Sequence, residues 1–247
     1  MTETRTDDFL GRRLRIEQRS RGYLAGADAV MLAAACSARP GQQVLELGCG
    51  AGVALLCLGA RVPGLALTGI ERSAGDAALA RSNAARNAIT AEVLTGDLGA
   101  PPEALRARTF DHVIMNPPYF PAGTPSPDAG RAGARHEDTP LDGWLDAGLR
   151  RLRPGGWLVV IHLAARLDGV LAGLTGRAGD IAILPVIARE GRDAGRILIT
   201  ARKGSRGPLR LRAPFVMHEG TRHRDDGGAD LSLAATAVLR DGAPIML

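Results

Sequence analysis

The stretch Asp111-His112-Val113-Ile114-Met115-Asn116-Pro117-Pro118-Tyr119-Phe120 runs from an apolar segment into two consecutive prolines. His112 to Met115 has the nearly continuous apolar character of a parallel strand covered on both faces. Proline has no ladder donor and holds the residue before it in extended geometry, so this strand must stop at Asn116. A side-chain amide, stiff backbone carbonyls and an aromatic ring therefore stand at the carboxyl end of a strand. Ligands bind along that edge in open α/β sheets.

Working outward, Val44–Leu47, Ala66–Ile70 and Ala91–Thr95 read as strands before this one. Trp157–Ile161, Ile181–Ala188 and Arg196–Ala201 read as strands after it. Helical periodicity fills the gaps at about Ala29–Ser37, Val53–Ala60, Ala74–Ala88, Leu141–Leu152 and Ala165–Gly176, and Asp28 is positioned to cap the first. Pro101–Arg108 reads as a short helix or loop. The alternation predicts an α/β fold with a doubly wound, Rossmann-like arrangement, a seven-stranded mostly parallel sheet with helices on both faces. Residues 1–28 form a polar arm, with Arg13–Arg19 extended; residues 29–204 form the main domain; residues 205–247 form a basic extension. Residues 121–138 make a loop long enough to be functional or mobile, and Arg222–Asp230 lacks periodicity and is expected to be flexible.

The chain has 247 residues and is 45% apolar, enough for one sizeable core. Aromatic residues make up 3%, so Ala, Leu, Val and Ile must fill most of that core. The net charge of +5 permits a polyanionic partner. Its distribution is more informative: Arg189–Arg224 carries ten basic and three acidic residues, and the segment up to Arg21 carries six basic and four acidic. Folded onto one face, the two ends would make a footprint for RNA; otherwise they are solvated surface. Cys36, Cys49 and Cys57 fit neither a disulfide framework nor metal-ligand spacing, and the histidines show no ligand-like spacing either, so no metal is expected. Met1–Arg21 lacks the apolar segment of a signal peptide and no run is long enough to span a bilayer, so a cytoplasmic location is expected.

The turn Gly48-Cys49-Gly50-Ala51-Gly52 follows the first strand of the main domain. A dinucleotide fingerprint would need glycine where Val53 stands, and the Gly-Lys-Ser/Thr of a phosphate-binding loop is absent. Glycines here suit a ligand with a compact amino-acid tail, such as S-adenosylmethionine, because the backbone can approach closely while Glu46 or a nearby carbonyl faces the ammonium. Glu71 ends the next strand and can accept from both ribose hydroxyls. Asp97 ends the third, where it would meet the adenine amine; read by itself, it is a turn residue.

An exocyclic adenine amine is a poor nucleophile because its lone pair is delocalised into the ring. The Asn116 side-chain oxygen and the Pro117 carbonyl can hold its hydrogens so that the nitrogen becomes tetrahedral as it attacks. Tyr119 can stack on the flipped base and Phe120 can close the pocket.

Asn116-Pro117-Pro118-Tyr119, taken with Glu46–Gly52, resembles the amino-methyltransferases of the class I S-adenosylmethionine-dependent fold. More narrowly, the chain is similar to the bacterial tRNA1(Val) adenine-N6 methyltransferase family along nearly its whole length, from Gly26-Ala27-Asp28 to Ala201-Arg202-Lys203-Gly204 and Met217-His218-Glu219. The resemblance implies methylation of an adenine beside the anticodon of a valine tRNA, with Asn116, Pro117, Pro118 and Tyr119 as the catalytic motif. It implies that Glu71 and Asp97 hold the cofactor nucleoside and that Tyr23–Asp28 covers its methionine end. The candidate cofactor contacts are then Tyr23, Asp28, Glu46, Gly48, Cys49, Gly50, Gly52, Glu71, Arg72, Asp97, Leu98 and Asn116. For RNA they are Phe120, Arg131, Arg135 and His136 in and before the long loop, and Arg202, Lys203, Arg206, Arg210 and Arg212 in the tail. The sequence departs from the family around Arg222–Asp230.

Two other functions fit parts of the sequence. A release-factor glutamine methyltransferase uses the same tetrapeptide on an amide nitrogen, but such proteins usually carry a helical domain before the glycine turn, and 43 residues precede Val44 here. A methyltransferase-like RNA-binding protein without catalysis would not need the acidic strand ends or the tetrapeptide intact.

Overall fold

The computed structural model describes residues 3–22, 24–121, 136–137, 139–220 and 230–247. The N-terminal arm is an antiparallel hairpin of β1 (Thr4–Phe9) and β2 (Leu14–Arg19). Leu14, Ile16 and Gln18 alternate inward and are buried, which lays β2 onto the domain. Helix α1 (Ala27–Ala35) follows, then β3 (Gln43–Leu47), α2 (Val53–Arg61), β4 (Ala66–Glu71), α3 (Ala74–Arg86) and β5 (Ala91–Thr95). Next come α4 (Glu103–Arg106), β6 (Phe110–Met115) and the paired two-residue strands β7 (Phe120–Pro121) and β8 (His136–Glu137). The second half holds α5 (Leu141–Arg151), β9 (Leu152–Leu163), α6 (Leu167–Leu174), β10 (Ala178–Ile187), β11 (Ala194–Lys203), β12 (Arg210–Leu211), β13 (Phe215–Val216) and α7 (Leu233–Leu239).

The central sheet runs β5-β4-β3-β6-β9-β11-β10-β12, with β13 also pairing with β10. Strands β3, β4, β5, β6 and β9 are mutually parallel where they pair; β11 is antiparallel to both β9 and β10. The seven expected strands are present, and two short ones extend the edge. Those two were invisible to periodicity because each spans two residues, and Pro208 and Pro214 punctuate the segment. The tail also holds α7, unforeseen beyond Asp230: the Ser232 hydroxyl accepts from the Ala235 amide at 3.0 Å and caps it.

Alternation along the strands makes two cores. Val44, Ile114, Val159, Ile161 and Leu198 face α1, α2 and the hairpin, whereas Leu45, Val113, Met115, Leu158 and Val160 face α5 and α6. The hairpin is fixed from α3 by two asparagines one helical turn apart. Asn83 accepts from the Glu17 amide and donates to the Glu17 carbonyl, both at 2.9 Å. Asn87 does the same for Arg15, at 2.9 and 3.0 Å. Two side-chain amides thus stand in for a neighbouring strand and bring the end of β2 to the carboxyl edge of the sheet.

Candidate active site

At that edge lies a cavity of about 640 Å³, within the usual range for small-molecule sites. Of the residues expected to bind cofactor, Glu46, Gly48, Cys49, Gly50, Glu71, Arg72, Asp97, Leu98 and Asn116 line it, and Pro117, Pro118 and Tyr119 line the same space. The parallel order of β5, β4, β3 and β6 brings these strand ends together although they are spread over more than 70 residues of sequence.

Gly48 and Gly50 have φ of +64° and +52°, the left-handed region where side chains are strained. A Cβ on Gly48 would sit 2.4 Å from Trp144 Cη2, so the indole packs directly on the turn. A Cβ on Gly50 would meet nothing within 4 Å, so the backbone there is open to a ligand. The Gly50 amide donates to Glu71 Oε2 at 2.9 Å and the Ser73 amide to Glu71 Oε1 at 2.8 Å. Each carboxylate oxygen retains a second lone pair, so Glu71 can orient the turn and still accept from a ligand hydroxyl. Asp97 Oδ1 accepts from the Gly99 amide at 2.7 Å, making a turn at the end of β5 while the residue lines the cavity. Cys49 is buried against Gly69, and burial raises its thiol well above the ordinary value, which suits packing rather than nucleophilic chemistry.

Glu46 is 4% exposed, and its Oε2 has no hydrogen-bond partner among the described residues. Burial pushes its carboxyl well above the usual range; the Leu55 amide partly offsets this and the charge of Glu71 adds to it. A buried acceptor at the cavity wall, an open glycine backbone and an acidic strand end fit the ammonium, tail and ribose of S-adenosylmethionine. Gln18, Arg19, Arg21 and Trp144 also line the cavity. They come from the hairpin and α5, and no local motif marks them.

At the other end of the tetrapeptide, Tyr119 is 3% exposed, and its hydroxyl donates to Asp28 Oδ2 at 2.5 Å. The Arg196 guanidinium covers one face of the ring, 4.7 Å from its centroid, and the His162 ring packs edge-on at 5.5 Å. At most one ring face is therefore left for a base. Burial pulls the Arg196 guanidinium down, but the charge of Asp28, with Tyr119, outweighs it and the net shift is upward. The N-cap position of α1 is Gly26, not Asp28, which corrects the capping expectation; the Asp28 carboxylate is bonded to Tyr119 and Arg196, and the residue is not part of the cavity wall. Gly52 also lies off the cavity wall and serves as the N-cap of α2.

The basic tail lies away from the cavity. In register, Arg202 pairs with Trp157, which pairs with His112 near the start of β6, whereas Asn116 follows the end of β6. Arg202 Nε donates to the Gly155 carbonyl at 3.2 Å and Lys203 Nζ to the Leu152 carbonyl at 2.6 Å. These two residues tie strand ends together at the edge opposite the cavity. Arg206, Arg210 and Arg212 are exposed; Arg210 pairs with Ala182 midway along β10, on the outer side of the sheet. Arg196, at the cavity edge of β11, is the strand residue sequence reasoning missed, because its location depends on register and not on a motif. Tyr23, Arg131 and Arg135, and nearly all of the 121–138 and 222–230 stretches, lie outside the described residues, and for Phe120 and His136 the described feature is the β7–β8 pairing. Among the described residues no helix is long and apolar enough to cross a membrane, and no cluster of His, Cys, Asp and Glu could hold a metal ion.

The model of the methyltransferase small domain matches residues 26–165. A tRNA1(Val) (adenine(37)-N6)-methyltransferase of Porphyromonas gingivalis is 34% identical over 66% of this chain and 67% of its own. A release factor glutamine methyltransferase of Geobacter sulfurreducens is 32% identical over 55% of this chain and 50% of its own. The crystal structure of a predicted O-methyltransferase from Agrobacterium tumefaciens is 29% identical, covers 88% of this chain and 98% of its own, and superposes with a TM-score of 0.70. The chain belongs to the methyltransferase small domain family, and S-adenosylmethionine is its cofactor.

Proposed function

We propose that this protein methylates N6 of an adenine in tRNA, with the adenine beside the anticodon of a valine tRNA as its target. The observation that carries the reading is the placement of Asn116–Tyr119 on the wall of the cavity that also holds the glycine turn, Glu71 and Asp97. When bound, the cofactor supplies a methyl group on a sulfonium, a good leaving group that needs no metal. The chain's own part is to orient and to exclude water. Asn116 Oδ1 is buried just after β6, and the direction of the Pro117 carbonyl is restricted by its own ring at φ and by Pro118 at ψ. Two acceptors in a poorly solvated site draw the amine hydrogens into fixed directions and leave the nitrogen lone pair out of the ring plane. Neither acceptor has to change charge during transfer.

The same acceptors would serve a glutamine amide, so the substrate is decided by what else reaches the site. The similarity to the adenine-N6 enzyme covers more of both chains than that to the glutamine enzyme, which supports the adenine. On this reading the enzyme works in the cytoplasm with the tRNA pool. Labelled S-adenosylmethionine, incubated with unmodified total tRNA in one tube and release factor in another, tests it. Label is expected in tRNA, as N6-methyladenosine; label confined to the release factor overturns the proposal. Asn116→Ala should abolish transfer with cofactor affinity nearly unchanged, and a large loss of cofactor binding would show that Asn116 belongs to the cofactor instead.

A further inference from the structure

Three elements far apart in sequence converge on Tyr119. Asp28 in the first turn of α1 takes the phenol hydroxyl at 2.5 Å on Oδ2, and the same oxygen accepts from Arg196 Nε of β11 at 3.0 Å. Arg196 also lies over the ring, and His162, near the end of β9, packs against it edge-on. His162 is fully buried, and its Nδ1 accepts from the Leu163 amide at 2.8 Å, which leaves the neutral ring's proton on Nε2. Among the described residues no acceptor meets hydrogen-bond geometry at Nε2, although the Pro118 carbonyl favours the protonated ring. Asp28, Arg196 and His162 do not line the cavity.

Their effect follows from the two prolines. Pro117 and Pro118 make the tetrapeptide a stiff strut whose direction is set at its ends. One end is Met115, held in the sheet between β3 and β9. The other end is Tyr119. The Asp28–Arg196 pair is partly buried, at 25% and 28% side-chain exposure, so its geometry is better defined than that of a surface ion pair. It also neutralises the carboxylate, leaving a hydrogen-bond acceptor without an uncompensated charge beside the site.

We propose that Asp28 and Arg196 are positioning residues that clamp Tyr119 and, through the proline strut, aim the Asn116 and Pro117 acceptors into the cavity. This rests on reading Asn116–Tyr119 as the catalytic motif. Asp28→Asn, Arg196→Lys, Arg196→Gln and Tyr119→Phe test it, with cofactor affinity followed by calorimetric titration. Asp28→Asn is expected to lower kcat about 10- to 100-fold, the scale of a small misalignment, while KM for RNA and cofactor affinity hold. On a Tyr119→Phe background Asp28→Asn should cost little more than Tyr119→Phe itself, because the shared bond is already gone. Arg196→Lys should retain more activity than Arg196→Gln. Multiplying losses in the double variant, or a cofactor affinity that falls with kcat unchanged, would overturn the clamp.

A further readout needs no methyl acceptor. With Tyr23→Phe, Tyr119 is the remaining tyrosine, so its ring resonances in 13C-tyrosine-labelled protein are identified directly. They should shift in Asp28→Asn and in Arg196→Lys. Unshifted resonances overturn the clamp, whereas wild-type protein that methylates no tRNA overturns the proposed function and leaves the resonance test standing.

Discussion

The Gly50 amide donates to Glu71 Oε2 at 2.9 Å, which makes the glycine turn after β3 and the acidic end of β4 a single unit. Glu71→Ala removes the brace for the turn together with the acceptor for a ribose. Losing one hydrogen bond to a charged group costs about 1.5–3 kcal/mol, so cofactor affinity is expected to fall roughly 10- to 100-fold. Calorimetric titration measures this; an affinity close to wild type would remove Glu71 from the binding site.

Gly48→Ala places a methyl group 2.4 Å from Trp144 Cη2 at a φ of +64°. The indole lies within the α5 core and can move little. Overpacking of this kind costs about 1–3 kcal/mol, with the left-handed backbone adding to it. Urea unfolding should show the loss, and Trp144→Phe in the same chain should recover part of it. No recovery would mean that backbone strain dominates.

Glu46 makes stability depend on pH. Its carboxyl is raised well above the usual range, mainly by burial, so the folded chain keeps a proton that the unfolded chain releases above about pH 4.3. Stability of the cofactor-free protein should therefore fall as pH rises through that value toward the folded pKa, by up to about 1.4 kcal/mol per pH unit from this group. Glu46→Gln should flatten the slope between pH 5 and pH 8 in denaturant titrations. An unchanged slope would show that another group is responsible.

Arg202 and Lys203 donate to backbone carbonyls at the edge of the sheet away from the cavity. Replacing both with glutamine should lower the melting temperature and leave the salt dependence of tRNA binding as it was. Each lost phosphate contact would instead reduce the salt slope by about one. A shallower slope in filter-binding assays over a salt series would place these residues on the RNA surface.

The sequence by itself determined the seven long strands of the central sheet, the place where β6 ends and the chemistry offered there. These are local consequences of apolar runs, of proline and of glycine, and the glycine turn and acidic strand ends could be read in the same way. The tertiary structure decided what surrounds that chemistry. Asp28 looked like a helix cap, yet it holds Tyr119, because α1 and β11 come together only once the sheet is assembled. Arg196 and Arg202 are both arginines of β11, six residues apart, but the register with β9 sends them to opposite edges of the sheet. Asn83 and Asn87 carry no motif, and the hairpin they hold contributes Gln18 and Arg19 to the cavity. Strand ends are set by neighbours along the chain, whereas the groups that aim and enclose them are set by register and by contacts across the fold.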